Sequence, residues 1–484
     1  MSAIRFHSAS CAGLLVLTSV GAAPAAAIEP AELLRAAIRL PCRAAPETSL
    51  AALAEKLPVQ VKRNWIHFSP QGILKRRLIF DVGGDVLTLQ FAGSTGSPDY
   101  VSARYDGGAH QQPLLTAIAD SGCAIHTARR LSYDEAGRPE LLQELDDALN
   151  PVGAPEPLNP PVPVGRDPPG VAVAIIDTGV NYLLPEIASR LARTTAGEIL
   201  GYDFWDLDRR PFDVSLTPDP FFPSHHGTEV ADLVLEEAPV AKLVPYRYPR
   251  FAMARMPALI EDAAAHGVRL LNLSLDSLDR AEWRPFGEAA RLHPEMLFIV
   301  AAGNHGRDID RQAVYPAALD LENMIVVTSA TAQGRLTLGA NWGPAAVDLM
   351  VRGEGIRALD FDGGRRLVSG SSFAAARVTA LAACLLAERP EWSRAELTAA
   401  ILHEAEASET GGVDAGLIPD GVLGNRGACM ASGSACCRIS PCAGHELVTS
   451  RCFSDEPVQD GSSRAIVPMT RRRSATRMSP TSSG

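Results

Sequence analysis

Val171-Ala172-Val173-Ala174-Ile175-Ile176-Asp177-Thr178-Gly179 is the stretch on which the fold class turns. Six apolar residues in a row leave no polar face. The run therefore reads as a short strand covered on both sides, as in a parallel sheet between helical layers. Asp177 then stands beyond the carboxyl end of a buried strand, where open α/β sheets collect their reacting groups. Taken alone, it reads better as an Asp that merely caps a turn. Downstream, residues 257–266 read as helix, 268–275 as strand, 282–292 as helix, and 296–301 and 324–329 as strands. This alternation predicts an α/β fold: a mostly parallel sheet with helices on both faces. Residues 372–388 form the central apolar helix. Ser393-Arg394-Ala395-Glu396 is a capping box that opens a last one.

The central helix begins at Gly370-Ser371-Ser372-Phe373, followed by Ala374-Ala375-Ala376. A serine there presents its hydroxyl at a helix start, but a hydroxyl attacks only when a base takes its proton. Histidine is the usual base, and a carboxylate must hold it in one tautomer. His226-Gly227-Thr228-Glu229-Val230-Ala231 opens another apolar helix and supplies the candidate. The adjacent His225 reads as a solvated loop residue. The strand Leu297-Phe298-Ile299-Val300 runs into Ala301-Ala302-Gly303-Asn304-His305-Gly306. The Asn304 amide, with the Ser372 backbone N–H, can face a developing negative charge. Asn304 also suits a plain turn, and His305 a plain loop.

Together these segments resemble the subtilisin-like serine peptidases. The resemblance rests on Ile176-Asp177-Thr178-Gly179-Val180, His226-Gly227-Thr228, Ala301-Ala302-Gly303-Asn304 and Gly370-Ser371-Ser372-Phe373-Ala374-Ala375, in the chain order acid, histidine, serine. Gly201-Tyr202-Asp203-Phe204, Leu271-Asn272-Leu273-Ser274-Leu275 and Tyr315-Pro316-Ala317 agree as well, so the resemblance covers roughly residues 168–405. It implies a serine endopeptidase with Ser372 as nucleophile, His226 as base and then acid, Asp177 orienting His226, and Asn304 binding the oxyanion. It also implies that Leu273, Ser274 and Leu275 pair with a peptide substrate as an added strand, and that Ala301, Ala302 and Gly303 line an open primary pocket. The chemistry would need no cofactor and no catalytic metal. The family often binds calcium, but Asp203, Asp206, Asp208 and Asp213 lack EF-hand spacing and read as a solvated acidic loop.

The sequence also departs from the family. Glu229 stands in place of a second His, Asp232 in place of Gly, Asp276 in place of a Gly after the substrate strand, Ala376 in place of Pro, and Arg377 where His is frequent. Asp232 is expected to change how the His226 helix packs. Asp276 is expected to narrow the cleft or disfavour acidic substrates. A catalytically weak homologue that binds peptides in its cleft is the alternative.

The rest of the chain sets the context. The 484 residues, 46% of them hydrophobic, suffice for a large core and more than one domain. A net charge of −11 argues against a nucleic-acid partner. Beyond the N-terminus no long uncharged apolar run predicts stable membrane insertion. Residues 1–27 read as a secretory signal with a small-residue cleavage site at Ala25-Ala26-Ala27, which predicts export to the periplasm or the extracellular space. Residues 28–150 read as a separate α+β region, either a propeptide able to inhibit the cleft intramolecularly or a permanent accessory domain. Strands are expected around Trp65–Phe68, Leu78–Val82, Val86–Phe91 and Tyr100–Tyr105, and helices over Gln112–Ala119 and Pro139–Leu149. Residues 151–167 are a Pro-rich linker, 168–410 the peptidase-like domain, and 411–484 a Cys-containing disordered tail. Among the nine cysteines, Cys42 and Cys123 can pair, Cys384 reads as a buried thiol, and the odd number in the tail leaves its connectivity open.

Overall fold

A computed structural model describes residues 29–43, 57, 59–68, 74–94, 97–108, 110–248, 252–408 and 411–424. The expected signal segment, and the tail beyond residue 424 with its five cysteines, lie outside the described residues. The chain divides into two compact units, residues 1–132 with 142–155, and residues 133–141 with 156–484.

Among the described residues, the first unit is a meander of strands under one helix. Strands β1 (Gln60–Phe68), β2 (Leu74–Val82), β3 (Asp85–Ser94), β4 (Ser97–Gly107), β5 (Gln112–Asp120), β6 (Ile125–Tyr133) and β7 (Pro139–Leu145) follow one another in sheet order. Pairing is antiparallel from β1 through β6. Leu87 and Leu89, Val101 and Ala103, and Leu115, Ala117 and Ala119 alternate onto one buried face. There they meet Leu33, Leu34, Ala37 and Ile38 of the helix Pro30–Arg43. The helices expected over Gln112–Ala119 and Pro139–Leu149 are instead the strands β5 and β7. Their Leu/Ala content carries helix propensity, and Leu142 and Leu145 are spaced like a helical pair, but pairing within the sheet outweighs both. Cys42 and Cys123 form a disulfide across 81 residues, tying the end of the helix to the β5–β6 turn.

The second unit opens with the two-residue strand β8 (Glu156–Pro157) and then builds the parallel sheet. Its members are β9 (Val171–Asp177), β10 (Tyr202–Asp203), β11 (Ala241–Arg247), β12 (Leu270–Leu273), β13 (Leu297–Ala301), β14 (Met324–Ala330), β15 (Leu349–Arg352) and β18 (Gly416–Ile418). The sheet order is β10-β11-β9-β12-β13-β14-β15-β18, and neighbouring strands pair in parallel. An antiparallel hairpin, β16 (Ile356–Leu359) with β17 (Arg365–Val368), stands apart from it.

Strand β9 bears out the reading of its apolar run. Val173 and Ile175 join a core with the helices Gly227–Glu237 and Ser371–Glu388. Ala174 and Ile176 join a second core with the helices Met256–Ala265 and Arg280–Leu292 on the other face. Ser371–Glu388 is apolar and long enough to pass for a membrane span, yet it is the buried centre of the first core. The capping box forms as expected, with Ser393 and Glu396 bonding each other's backbone N–H. Residues 411–424, expected to open a disordered tail, are a correction. Ile418 is fully buried, and β18 pairs with β15 as the last strand of the sheet.

Candidate active site

Strand β9 delivers Asp177 fully buried at its carboxyl end. His226 is the N-cap residue of the helix Gly227–Glu237, and its Nδ1 lies 2.8 and 2.9 Å from the two Asp177 oxygens. An ionised carboxylate only accepts, so Nδ1 carries the proton and Nε2 is left as the basic nitrogen. This approach requires Gly227. A Cβ there would stand 2.0 Å from the Gly179 carbonyl oxygen and 3.1 Å from the Asp177 Cβ. Burial disfavours the charged form of His226. The Asp177 carboxylate, backed by Asp213 and Glu229, outweighs burial and pushes the pKa up to about 9.

A second carboxylate, Asp213, holds this pair together and is also fully buried. It accepts from Thr178 Oγ1 at 2.5 Å, Thr228 Oγ1 at 2.5 Å, Thr228 N–H at 2.8 Å and His226 N–H at 3.2 Å. The His226 helix has no cap from its own N-cap side chain, and Asp213 satisfies its first amides from another segment. Thr178 closes the circuit. Its N–H donates to Asp177 Oδ1 at 2.7 Å, and its hydroxyl accepts from Gly227 N–H at 2.9 Å.

The solvated acidic loop expected from Asp203 to Asp213 is therefore corrected. Asp203 is fully buried and binds the buried Arg247 guanidinium at 2.8 Å, and Asp206 shares that cation. Burial lifts the Asp203 pKa to about 6 against the pull of Arg247. His225 is corrected too. Its ring stacks on Phe361 at 3.6 Å, and its Nδ1 donates to the Asp213 carbonyl at 2.6 Å. Among the described residues, no group of three or more His, Cys, Asp or Glu side chains converges to hold a metal ion.

On the serine side the geometry separates three neighbours. Ser369 Oγ accepts from Gly355 N–H at 3.0 Å, and buried Ser371 Oγ accepts from Gly303 N–H at 3.1 Å. Ser372 keeps its hydroxyl without a partner among the described residues, at the second position of the helix. Its N–H has no intrahelical acceptor there. The Ser371 N–H donates to Asn304 Oδ1 at 2.9 Å. That bond fixes the amide orientation and leaves Nδ2 as the outward donor. No hydrogen bond joins Ser372 to His226 among the described residues. The two helices pack together, with the Phe373 ring 5.6 Å from the imidazole. Such contacts often tighten only when substrate is bound.

Strands β12 and β13 pair in parallel, and both end beside this helix. Leu273 closes β12. Ser274 Oγ donates to the Ser372 carbonyl at 3.5 Å, and Leu275 follows it. Ala301 closes β13. The Ala302 carbonyl accepts from Asn341 Nδ2 at 2.7 Å, and Gly303 leads directly into Asn304. The departures from the family pattern form ion pairs. Glu229 pairs with Arg366, Asp232 accepts from Leu359 N–H and Arg365, and Arg377 binds Glu237 and Asp420. Asp232 thus ties the His226 helix to the β16–β17 hairpin. Ala376 sits fully buried in the helix interior. Sequence reasoning missed Asp213, Thr178, Thr228, Ser371 and Asn341. The Thr-Gly after Asp177 and the Gly-Thr after His226 were the only signals that led toward them.

Residues 169–417 match the model of the subtilase family, Peptidase_S8. A thermophilic serine proteinase of Bacillus sp. (strain AK1) is 28% identical over 239 residues, which is 45% of this chain and 53% of that protein. Alkaline serine exoprotease A of Vibrio alginolyticus is 27% identical over 253 residues, 50% of this chain and 43% of that protein. The chain thus matches about half the length of these relatives. Among solved structures, a cold adapted subtilisin-like serine proteinase aligns at 24% identity with a TM-score of 0.43, covering 55% of this chain and 93% of that one.

Proposed function

The chain belongs to the subtilase family, and from that premise we propose that it is an exported serine endopeptidase acting through an acyl-enzyme on Ser372. The observation that carries the reading is the paired geometry of the two helix starts. His226 is held by Asp177 at 2.8 Å with Nε2 left basic, and the Ser372 hydroxyl, without a partner among the described residues, opens the neighbouring helix.

The steps follow from these groups. His226 Nε2 takes the Ser372 proton as Oγ bonds to the scissile carbonyl carbon. The resulting oxyanion receives hydrogen bonds from Asn304 Nδ2 and the Ser372 N–H, at the positive end of an 18-residue helix. The tetrahedral species collapses, the C–N bond breaks, and His226 returns the proton to the leaving amine. Water then attacks the acyl-enzyme with His226 again as base, releasing the acid and restoring Ser372. Asp177 accepts from His226 Nδ1 and stabilises the imidazolium in both halves. The backbone of Leu273, Ser274 and Leu275 binds the substrate as an added strand, and Ala301, Ala302 and Gly303 flank the side chain next to the scissile bond.

Export is supported by the Cys42–Cys123 disulfide, a bond that persists in oxidising compartments. The first unit is proposed to act as an intramolecular inhibitor until it is removed, with the cut falling in the Pro-rich segment between the two units. Rapid-mix hydrolysis of an activated peptide ester tests the enzymatic reading. A burst of leaving group, one per protein, is expected in the wild type and not in Ser372→Ala. Peptide binding without turnover in the folded wild type would instead establish the alternative, a catalytically weak homologue.

A further inference from the structure

Since Ser372 and His226 share no hydrogen bond among the described residues, their spacing rests on what holds one helix against the other. The β16–β17 hairpin touches both. On the His226 helix, Glu229, Asp232 and Glu236 stand three and four residues apart, which puts three carboxylates on one face. The hairpin meets that face with two cations and one amide. Arg366 binds Glu229, Arg365 binds Glu236 and lies 3.4 Å from Asp232, and Leu359 N–H donates to Asp232 at 2.8 Å. Leu359 and Arg365 reach one carboxylate because they are partners in the hairpin register. Phe361, between the two strands, stacks on His225.

The far end of the hairpin is anchored at the nucleophile. β17 ends at buried Val368, and Gly370, two residues on, is the N-cap of the helix that carries Ser372. Both residues after Val368 are pinned to the segment before β16. Ser369 Oγ accepts from Gly355 N–H at 3.0 Å, and Gly370 N–H donates to the Gly353 carbonyl at 2.8 Å. Arg366 thus stands six residues before Ser372 in the chain while its guanidinium grips the first turn of the His226 helix. The Glu229 side chain is only 4% exposed, so its charge depends on Arg366 in place of water. Burial pushes the Glu229 carboxyl pKa up and Arg366 opposes it; His226 and, at 3.6 Å from Arg366, Asp360 are the other charged neighbours. Glu229 in turn is one of three negative charges acting on His226, with Asp177 and Asp213. Glu229 and Asp232 both depart from the family pattern, so these contacts are this chain's own.

We propose that Glu229 and Arg366 are positioning residues: their ion pair, carried by the hairpin, sets the His226 imidazole at the distance from Ser372 that proton transfer needs. The inference rests on the serine-peptidase reading and adds to it two residues that touch neither substrate nor reacting atoms.

The test combines initial rates with the activated ester, the rate at which a fluorophosphonate labels Ser372, and thermal melts, all on the purified protein. Arg366→Ala and Glu229→Ala are each expected to lower kcat and the labelling rate by about 10- to 100-fold, the scale on which displacing a reacting group by up to about 1 Å acts, with little change in KM. Both break the same bridge, so the double variant is expected to lose no more than the worse single. Glu229→Gln keeps an acceptor for Arg366 but removes the charge facing His226. It is expected to hold kcat well above that of Glu229→Ala and to move the acid limb of kcat/KM to lower pH. Arg357→Ala, which removes a hairpin arginine with no ion pair among the described residues, is expected to leave kcat unchanged. Alanine variants that melt lower yet keep wild-type kcat and labelling rate overturn the inference and leave the peptidase reading intact. So do losses that add in the double variant, an equal loss in Arg357→Ala, or an acid limb that Glu229→Gln does not move. If an alanine variant does not fold, the pH profile of Glu229→Gln decides. A wild type that neither turns over the ester nor takes the label overturns the peptidase reading and this inference with it.

Discussion

Replacing Asp213 with Asn tests how the base is held. The carboxylate accepts four hydrogen bonds, two from the first amides of the His226 helix and two from Thr178 and Thr228. The threonine hydroxyls can rotate to accept from an Asn amide, but a backbone N–H cannot. If the amide nitrogen faces Thr228, its buried N–H loses its acceptor at a cost of about 1–3 kcal/mol. If it faces His226, the N–H of that residue keeps only its 3.2 Å bond to the Thr178 hydroxyl. Loss of the negative charge at the helix N-terminus adds about 0.3–2 kcal/mol. The sum, about 1–5 kcal/mol, corresponds to a fall in Tm of about 2–4 °C per kcal/mol for a unit of this size. Asp213 is also one of the charges that raise the His226 pKa, so its removal lowers that pKa from about 9. Two measurements check this on purified protein: a thermal melt, and kcat/KM for the ester as a function of pH. The reasoning requires a lower Tm and an acid limb moved to lower pH. A variant with unchanged Tm, or an acid limb that stays in place or moves up, would refute it.

Four further outcomes follow from the structure. Neutral His226 is the base, so kcat/KM should rise about tenfold per pH unit above neutrality and level off only above about pH 9, as read from initial rates. The folded pKa exceeds the ordinary value of 6.5. The stability contributed by the His226–Asp177 pair is therefore fully present below pH 6.5 and lost as pH rises through about 9, which melts across that window would show. Asn304→Leu should lower kcat by about 10²–10³ with little change in KM, the known size of one oxyanion donor, for which subtilisin itself is the reference case. Opening the Cys42–Cys123 bond, which spans 81 residues, should destabilise the first unit by up to about 4–5 kcal/mol, seen as an earlier melt in a reducing buffer or in Cys123→Ser.

The elements that carry the site were legible because each announces itself locally. β9 is an unbroken apolar run ended by Asp177, and the two helix starts at His226 and Ser372 are short glycine-marked segments before apolar stretches. The contacts that support those elements were not legible. Asp213 lies 13 residues from His226, and Asp203 lies 44 from Arg247, inside a stretch whose composition looks solvated. Only the parallel sheet, by setting β10 beside β11, turns that stretch into a buried ionic core. β5 and β7 were misread for the converse reason. Their residues favour helix locally, and the strand state is imposed by pairing with the adjoining strands of the meander. Asp276 was visible as an oddity after β12, but its position over Gly303 depends on the β12–β13 pairing.

The central claim is that Ser372, and neither Ser369 nor Ser371, is the nucleophile. A biotinylated fluorophosphonate added to the folded protein, followed by tryptic mapping, tests it most directly. The account predicts a single phosphonyl adduct on Ser372, formed faster as pH rises toward 9 and absent in Ser372→Ala. An adduct on Ser371 or Ser369, or no adduct on a folded protein freed of residues 1–155, would contradict it.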